Sequence, residues 1–335
     1  MTSLIIIDDS IFTRKVLRRI ISKNPQFHII AEANNGYEGL KKIQEYQPDI
    51  VILDVEMPLM TGLELLKAVK EHQHRPRFLL FSAHTKQHAQ ITIDCLLAGG
   101  SDYICKPQFD PSLQTLEEEL IRKLTILCSS SQVLSTSPPI IQNKQSPNLI
   151  CIATSTGGPD TLKHLFSHLR TDFSIPILIV QHMPPLFTSL LSQTLSRQTE
   201  HTITEAEERG EIHKNSIILA KGGTHLIVEK KQNRYLYHSS DAPPIHGLRP
   251  AADLLFSSAA IAAQSRVLGI VLTGMGQDAT KGSQDIHNSG GQVIIQDKNS
   301  SIIWGMPGSI AQAGIPAEQK TIPEIANHLN EYQLS

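Results

Sequence analysis

Three carboxylates, a hydroxyl and a lysine in the first third of the chain each lie at or just behind the end of a short apolar run. They are Asp8, Asp9, Asp54, Ser82 and Lys106. Such runs predict buried strands, and the carboxyl ends of parallel strands meet at one edge of a sheet. Crowded carboxylates repel one another unless a hard cation lies among them, and their oxygens suit Mg²⁺. A lysine and a hydroxyl from neighbouring strands would hold a phosphoryl group beside that metal.

A serine, a histidine and an aspartate occupy similar positions in the second half of the chain. Ser155 lies in a turn of small residues, 153–160, and Pro159 fits the first position of the helix that follows. His182 follows one apolar run, and Asp278 follows another. Three strand ends thus supply a nucleophile, a base and a carboxylate that orients the base, which is the set used in acyl transfer.

Two other interpretations of this region are disfavoured. A lipase-type hydrolase has the order Ser, Asp, His and a G-x-S-x-G turn, whereas this chain has Ser, His, Asp and carries Ala153 at the first glycine position. A dinucleotide site is suggested by residues 274–279, which match G-x-G-x-x-G/A, and by Asp297 at the end of the next predicted strand. Too few residues follow for a second mononucleotide half.

The spacing of apolar residues places the first set on an α/β framework. Five apolar runs separated by helix-period stretches predict a (βα)₅ unit, and these runs are residues 4–7, 27–31, 50–53, 78–81 and 103–104. The last helix carries an apolar stripe that consists of Leu113, Leu116, Leu120, Ile121 and Leu124. Serine and proline enrichment then predicts an interdomain linker over residues 128–148.

A second α/β domain, doubly wound and mostly parallel, is predicted for residues 149–335. Its strand candidates are residues 149–153, 175–181, 216–220, 226–229, 267–272 and 293–296. Residues 201–240 hold several strand runs without helices, which predicts an antiparallel edge or hairpin there.

Composition excludes several classes of protein. A length of 335 residues suits two domains, and a net charge of −2 gives no general attraction for nucleic acid or anionic lipid. Four cysteines without a C-x-x-C pair exclude a disulfide scaffold and a zinc ribbon. The first residues lack a signal-peptide pattern and no apolar run approaches the ~18–20 residues of a membrane span, so we expect a cytoplasmic protein without membrane insertion.

The first set of residues resembles that of a two-component receiver domain. The motifs are Asp8-Asp9, Asp54 with Met57-Pro58 and Gly62, Ser82-Ala83, and Tyr103 before Lys106-Pro107. The resemblance covers residues 1–125 and implies a flavodoxin-like fold. It implies that the three carboxylates help to hold Mg²⁺ and that a partner histidine kinase phosphorylates Asp54. It also implies that Ser82 and Lys106 sense the phosphoryl group and that Tyr103 is the aromatic side chain that rotates.

The second half resembles the chemotaxis methylesterase domain. The motifs are Ser155-Thr156-Gly157-Gly158, Gln181-His182-Met183-Pro184, His225, Arg249-Pro250, Leu272-Thr273-Gly274-Met275-Gly276 with Asp278, Gln296-Asp297 and Gly305-Met306-Pro307. The family hydrolyses γ-methyl esters of glutamate on chemoreceptors and deamidates certain glutamines there. The resemblance implies that Ser155 is the nucleophile, that His182 is the general base and acid, and that Asp278 orients the imidazole. No cofactor is expected for this reaction.

Further expectations concern the oxyanion site, the domain boundaries and the regulation of activity. The N–H groups of residues 155–157 and 274–276 are expected to bind the oxyanion. We expect a receiver at residues 1–127, a linker at 128–148 and a catalytic domain at 149–335. We also expect the unphosphorylated receiver to inhibit the esterase and phosphorylation of Asp54 to relieve that inhibition. The non-enzymatic alternative is a receiver joined to a domain that binds receptors without hydrolysis.

Overall fold

A computed structural model of the chain describes residues 1–70, 72, 74–82, 85–106, 113–128 and 146–332. The chain divides into two units, Met1–Ser130 and Ser131–Ser335. Most of the predicted linker lies outside the described residues, and so do Ala83 and Pro107. The domain boundaries at residues 127 and 149 therefore stay predictions.

Five strands and five helices alternate in the described part of the first unit. The strands are β1 (Thr2–Ile7), β2 (Phe27–Ala33), β3 (Ile50–Asp54), β4 (Arg77–Ser82) and β5 (Asp102–Cys105). The helices are α1 (Ile11–Ile21), α2 (Gly36–Tyr46), α3 (Gly62–Val69), α4 (Lys86–Leu97) and α5 (Leu113–Cys128). All strand pairs are parallel, in the order β2-β1-β3-β4-β5. This order confirms the predicted flavodoxin-like fold.

Burial explains why the strands of this unit could be found from sequence. Residues 4–7 of β1 and 50–53 of β3 are at most 1% exposed, and strands covered on both faces have continuous apolar runs. The apolar stripe predicted on α5 is buried at Leu116, Leu120 and Leu124. Ile121 is half-buried, and the side chain of Leu113 lies outside the described residues. Leu127 extends the stripe beyond the prediction.

The second unit is larger and contains ten strands and six helices in its described part. The strands are β6 (Leu149–Thr154), β7 (Ile177–Gln181), β8 (Ile203–Glu205), β9 (Arg209–Ile212), β10 (Ile217–Leu219), β11 (His225–Lys231), β12 (Arg234–Ser240), β13 (Val267–Val271), β14 (Gln292–Gln296) and β15 (Glu318–Lys320). The helices are α6 (Gly158–His168), α7 (Pro185–Gln198), α8 (Ala252–Ala263), α9 (Thr280–Asn288), α10 (Gly305–Gln312) and α11 (Ile322–Glu331). None of the described helices is both long and apolar enough to cross a membrane.

Two sheets form in this unit. Seven parallel strands run in the order β15-β14-β13-β6-β7-β10-β8, and β11-β12-β9 form a small antiparallel sheet. The prediction of an antiparallel segment is correct for β9, β11 and β12. It is wrong for β8 and β10, which extend the parallel sheet instead. Both strands have only three residues, too few for their pattern to distinguish the two arrangements.

The strand order determines where the candidate catalytic residues meet. β6 lies between β7 and β13. After β6 the chain first adds β7 on one side of β6, and it adds β13 on the other side later. Ligand sites of open parallel sheets lie at such a reversal, beyond the carboxyl ends of the strands. The segments that follow these three strands carry Ser155, His182 and Asp278.

Candidate functional site

The carboxyl edge of the first sheet brings the three predicted carboxylates and Lys106 together. Ligand oxygens of Asp8, Asp9 and Asp54 all lie within 4.8 Å of one another. Lys106 Nζ donates to Asp54 Oδ2 at 2.6 Å and lies 3.2 Å from Asp8 Oδ2. Asp8 and Asp54 are buried, whereas Asp9 is exposed. The geometry agrees with a phosphoryl site at this edge.

This pocket has the chemistry of a magnesium site. Asp8 Oδ2 is buried and accepts no hydrogen bond within the described part of the chain, although Lys106 is close enough for an ion pair. Burial raises the pKa of Asp54 to about 6, and the Lys106 ammonium acts in the opposite direction. A buried carboxylate with a raised pKa is stabilised in its charged form by a nearby cation. The three carboxylates therefore fit Mg²⁺.

Ser82 and Tyr103, two of the three predicted switch residues (the third is Lys106), both lie in buried positions. Ser82 Oγ accepts a hydrogen bond from Thr92 Oγ1 of α4 at 2.7 Å. Tyr103 is 9% exposed, and its ring centroid lies 5.0 Å from Lys123 Nζ. Burial also raises the pKa of the Tyr103 hydroxyl well above its ordinary value. Their switching role stays a prediction.

Ser155 lies in the turn between β6 and α6, and hydrogen bonds hold the backbone of that turn. Ser155 N–H donates to Thr273 O at 3.0 Å, and Ser155 O accepts from Gly158 N–H at 2.8 Å. Gln181 Nε2 donates to the same carbonyl at 3.0 Å. Gly157 has φ +79°, a left-handed conformation that favours glycine. The sequence Ser-Thr-Gly-Gly thus produces a fixed strand-to-helix turn with serine at its start.

His182 and Asp278 form a buried pair at the same edge. His182 Nε2 lies 2.7 Å from Asp278 Oδ2, and the two side chains are 7% and 0% exposed. Asp278 also accepts N–H bonds from Ala252 and Asp253 at the start of α8, at 2.7 and 2.9 Å. Burial alone would raise the pKa of Asp278, but the His182 contact and these N–H bonds outweigh it and lower that pKa. These contacts therefore favour the charged carboxylate of Asp278 next to the His182 imidazole.

The serine and the histidine are adjacent without a hydrogen bond between their side chains. Ser155 Oγ makes no hydrogen bond to any described residue, and the imidazole of His182 is bonded through Nε2 alone. Their backbones lie on neighbouring strands, since His182 N–H donates to Thr154 O at 3.3 Å. Catalytic hydrogen bonds are often long before substrate binds. His182 Nδ1 is the ring nitrogen that makes no hydrogen bond in the described part of the chain.

Thr273, which sequence analysis did not assign a role, connects the turns around Ser155. It is 0% exposed. Its hydroxyl donates to Thr156 O at 3.0 Å and accepts from Ile303 N–H at 2.9 Å. Its carbonyl accepts from Ser155 N–H and from Thr154 Oγ1, both at 3.0 Å. The sequence signals at Thr273 were its place just after a strand, directly before Gly274, and its membership of the motif at residues 272–276.

The two turns predicted to bind an oxyanion lie against each other. A Cβ on Gly274 would lie 2.8 Å from Ser155 Cβ and 2.5 Å from Met306 Sδ, so only glycine permits this approach. The predicted set of donors was too wide, however. Ser155 N–H is bonded to Thr273 O, and Gly274 N–H is bonded to Ile303 O at 3.0 Å. These two groups are occupied within the protein.

Two family models match the chain. The model for the response regulator receiver domain matches residues 4–117, and the model for CheB methylesterase matches residues 150–329, more than half of the chain. The chain belongs to the CheB methylesterase family. Its two halves are accordingly a receiver domain and a methylesterase domain, as predicted.

Individual relatives resemble the chain over most of its length. The protein-glutamate methylesterase/protein-glutamine glutaminase of Trichodesmium erythraeum is 36% identical over 342 aligned residues, which cover 97% of each chain. The protein of that name from Thermotoga maritima is 33% identical over 92% of each chain. The crystal structure of the Thermotoga maritima CheB methylesterase catalytic domain covers 56% of this chain and 98% of its own, with 34% identity and a TM-score of 0.54.

The structure argues against the dinucleotide site, because Asp297, its expected ribose ligand, is hydrogen-bonded within the protein. Asp297 Oδ2 accepts N–H bonds from Asn299 and Ser300 at 2.9 and 3.3 Å. The carboxylate thus closes a turn after β14.

Proposed function

We propose that the chain is a phosphorylation-regulated protein-glutamate methylesterase and protein-glutamine deamidase that acts on chemoreceptors. Ser155 is its nucleophile, His182 its general base and acid, and Asp278 the residue that orients His182. The observation that carries the proposal is the buried 2.7 Å contact between His182 and Asp278 beside the Ser155 turn. The names of the relatives supply the reaction, and the triad supplies the chemistry that the reaction needs.

The hydrolysis proceeds by acyl transfer. Ser155 Oγ attacks the ester carbonyl while His182 Nδ1, the ring nitrogen not bound to Asp278, takes the serine proton. The proton passes to the departing methoxide, and methanol leaves. Water then cleaves the acyl-enzyme with His182 again as the base, and ammonia replaces methanol when the substrate is glutamine. The oxyanion binds to N–H groups of the two turns other than those of Ser155 and Gly274.

The receiver half accepts a phosphoryl group on Asp54 from a histidine kinase. The Lys106 ammonium, 2.6 Å from Asp54 Oδ2, is placed to bind a phosphoryl oxygen. Asp8, Asp9 and Asp54 would hold Mg²⁺, which neutralises charge on the phosphoryl group. Phosphorylation then raises the activity of the methylesterase half.

The reaction can be tested with two forms of one receptor fragment. Incubation of the full chain with fragments that carry glutamate γ-methyl ester should release methanol and leave glutamate. Fragments that carry glutamine at the same position should release ammonia and give the same product by mass spectrometry. If the chain binds both fragments and converts neither, it is the binding domain without hydrolysis.

The raised pKa of Asp54 gives a pH prediction for the receiver. Only the carboxylate attacks a phosphodonor, so incorporation from acetyl phosphate should fall as the pH drops through about 6. Because a divalent cation stabilises the carboxylate, higher Mg²⁺ should move this fall to lower pH. Intact-mass measurement of the full chain monitors incorporation, with Asp94→Asn as a matched control and Asp54→Asn as the blank. Equal incorporation by wild type and Asp54→Asn would place the phosphoryl group elsewhere.

Removing the Thr273 hydroxyl should disturb the oxyanion turns. Thr273→Val leaves Thr156 O and Ile303 N–H without this partner, which should cost about 1–3 kcal/mol of unfolding free energy. We expect kcat to fall by roughly 10-fold to 10²-fold, less than the ~10²–10³ that follows complete loss of a donor. Methanol release and thermal denaturation measure the two effects. Thr273→Ser keeps the hydroxyl and should retain most activity, and an unchanged kcat in Thr273→Val would contradict this role.

A further inference from the structure

We propose that His225 is a positioning residue that holds Asp278, and through it His182, in place. This inference rests on the proposed function, because it assigns a role around the same catalytic pair. His225 is 0% exposed and makes no hydrogen bond to His182 in the described structure, so it acts through the protein and not on the substrate. The inference follows from the hydrogen bonds of its two ring nitrogens.

The partners of His225 select one tautomer. Nδ1 accepts a hydrogen bond from Ala251 N–H at 3.1 Å, and Nε2 lies 3.2 Å from Pro243 O. A ring nitrogen that accepts an N–H bond carries no proton, whereas one that faces a carbonyl must carry one. The neutral ring with its proton on Nε2 satisfies both partners, and a second proton would abolish the bond to Ala251.

Ala251 links His225 to Asp278 through the first turn of α8. Ala251 is the N-cap residue of this helix and supplies no side-chain cap. The next two N–H groups, of Ala252 and Asp253, donate to the Asp278 carboxylate. Three successive N–H groups are thus divided between His225 and Asp278. An imidazole that fixes the first group also fixes the direction of the other two.

A shift at the start of α8 would reach the catalytic imidazole. Asp278 Oδ2 accepts from Ala252 N–H and from His182 Nε2, each at 2.7 Å. The other titratable groups near Asp278 in the described chain are Asp253, which accepts from Gly282 N–H at 2.8 Å, and His246, which lies 3.5 Å from Asp253. In the described structure neither is hydrogen-bonded to His182, so the hydrogen-bonded path from His225 to His182 runs through α8 and Asp278.

Two substitutions separate the roles of the two ring nitrogens. The amide oxygen of asparagine reaches the place of Nδ1. His225→Asn therefore keeps an acceptor for Ala251 N–H and loses the hydrogen bond to Pro243 O. The amide nitrogen of glutamine reaches the place of Nε2. His225→Gln therefore keeps the hydrogen bond to Pro243 O and loses the acceptor for Ala251 N–H. Both variants replace a buried imidazole with an amide, and a general packing defect would affect them alike. His201→Gln, at a buried histidine bonded to Leu169 O, is the matched control.

Methyl-ester hydrolysis by the full chain should distinguish the variants. We expect His225→Gln to lower kcat by roughly 10-fold to 10²-fold with KM nearly unchanged, because the base is misplaced while substrate contacts remain. The acid limb of kcat/KM should move to lower pH, since a loosened carboxylate stabilises the His182 imidazolium less. His225→Asn should keep kcat and the acid limb close to those of wild type, as should His201→Gln.

Three results would overturn the inference or its basis. Equal loss in both His225 variants, with an unmoved acid limb, would show that His225 only fills space. Wild-type kinetics in His225→Gln would show that the bond to Ala251 is unimportant. If wild type itself released no methanol while Asp54 was still phosphorylated, the proposed function would fail, and this outcome is distinct from the other two.

Discussion

Replacing Ser155 with alanine should lower methanol release by roughly 10⁴-fold to 10⁶-fold, the loss seen when a serine nucleophile is removed from a working triad. The expected loss is chemical and not structural, because Ser155 Oγ makes no hydrogen bond to the described residues and its turn is held by backbone groups. The variant should keep the melting temperature of wild type and bind methylated receptor fragments. Rapid-quench assays of methanol and a thermal melt measure these properties.

Ser283→Ala is the matched control for this experiment. Ser283 belongs to the same domain, is 0% exposed, and its hydroxyl has no hydrogen-bond partner in the described structure. Ser283→Ala removes a serine hydroxyl, as Ser155→Ala does, and should leave the rate of methanol release within about twofold of wild type. Substantial turnover by Ser155→Ala would show that water is activated directly or that another residue is the nucleophile.

Asp278→Asn should lower kcat by roughly 10⁴-fold, as expected when the residue that fixes the tautomer of a catalytic histidine becomes an amide. The Asp278 carboxylate accepts hydrogen bonds from His182, Ala252, Asp253 and Ala279. An amide offers one acceptor oxygen, and its NH₂ group would face N–H donors. The variant should therefore lose about 1–3 kcal/mol of unfolding free energy as well as activity.

Asp285→Asn separates the two effects of the Asp278 substitution. Asp285 of α9 accepts from Ser257 Oγ of α8 at 2.6 Å and from Lys281 Nζ at 2.8 Å. Like Asp278, Asp285 accepts a hydrogen bond from α8, but unlike Asp278 it makes no hydrogen bond to His182 in the described structure. We expect reduced stability with kcat nearly unchanged. If Asp278→Asn lost no more kcat than Asp285→Asn, Asp278 would not be the orienting carboxylate.

The sequence was sufficient for the central strands of both parallel sheets because these strands are apolar and buried. Runs such as residues 50–53 are visible without any structure, and strand ends in a parallel sheet converge by geometry. Ser155, His182 and Asp278 could be selected for the same reason. The polar strands β9 and β15 carry no such signal and were not among the individual strand candidates. The short strands β8 and β10 were misassigned because three residues do not show whether a strand pairs in parallel or antiparallel fashion.

The residues that support the triad could not be assigned from sequence. Thr273 acts through a hydroxyl and a carbonyl that bond backbone groups of distant segments, and backbone partners leave no trace in residue types. The docking of Asp278 on the start of α8 is similar, because it uses N–H groups that every residue except proline has. His225 was visible as part of a motif, but its partner Ala251 was not.

The proposed function is tested most directly by the rate of methanol release from methylated chemoreceptor fragments by the full chain, measured with and without acetyl phosphate in the presence of Mg²⁺. Wild type should release methanol, and the rate should rise when the phosphodonor is present. Asp54→Asn should keep an unstimulated basal rate under both conditions, and Ser155→Ala should stay roughly 10⁴-fold to 10⁶-fold below wild type. Absence of release from wild type, or equal stimulation of Asp54→Asn, would contradict the proposed function.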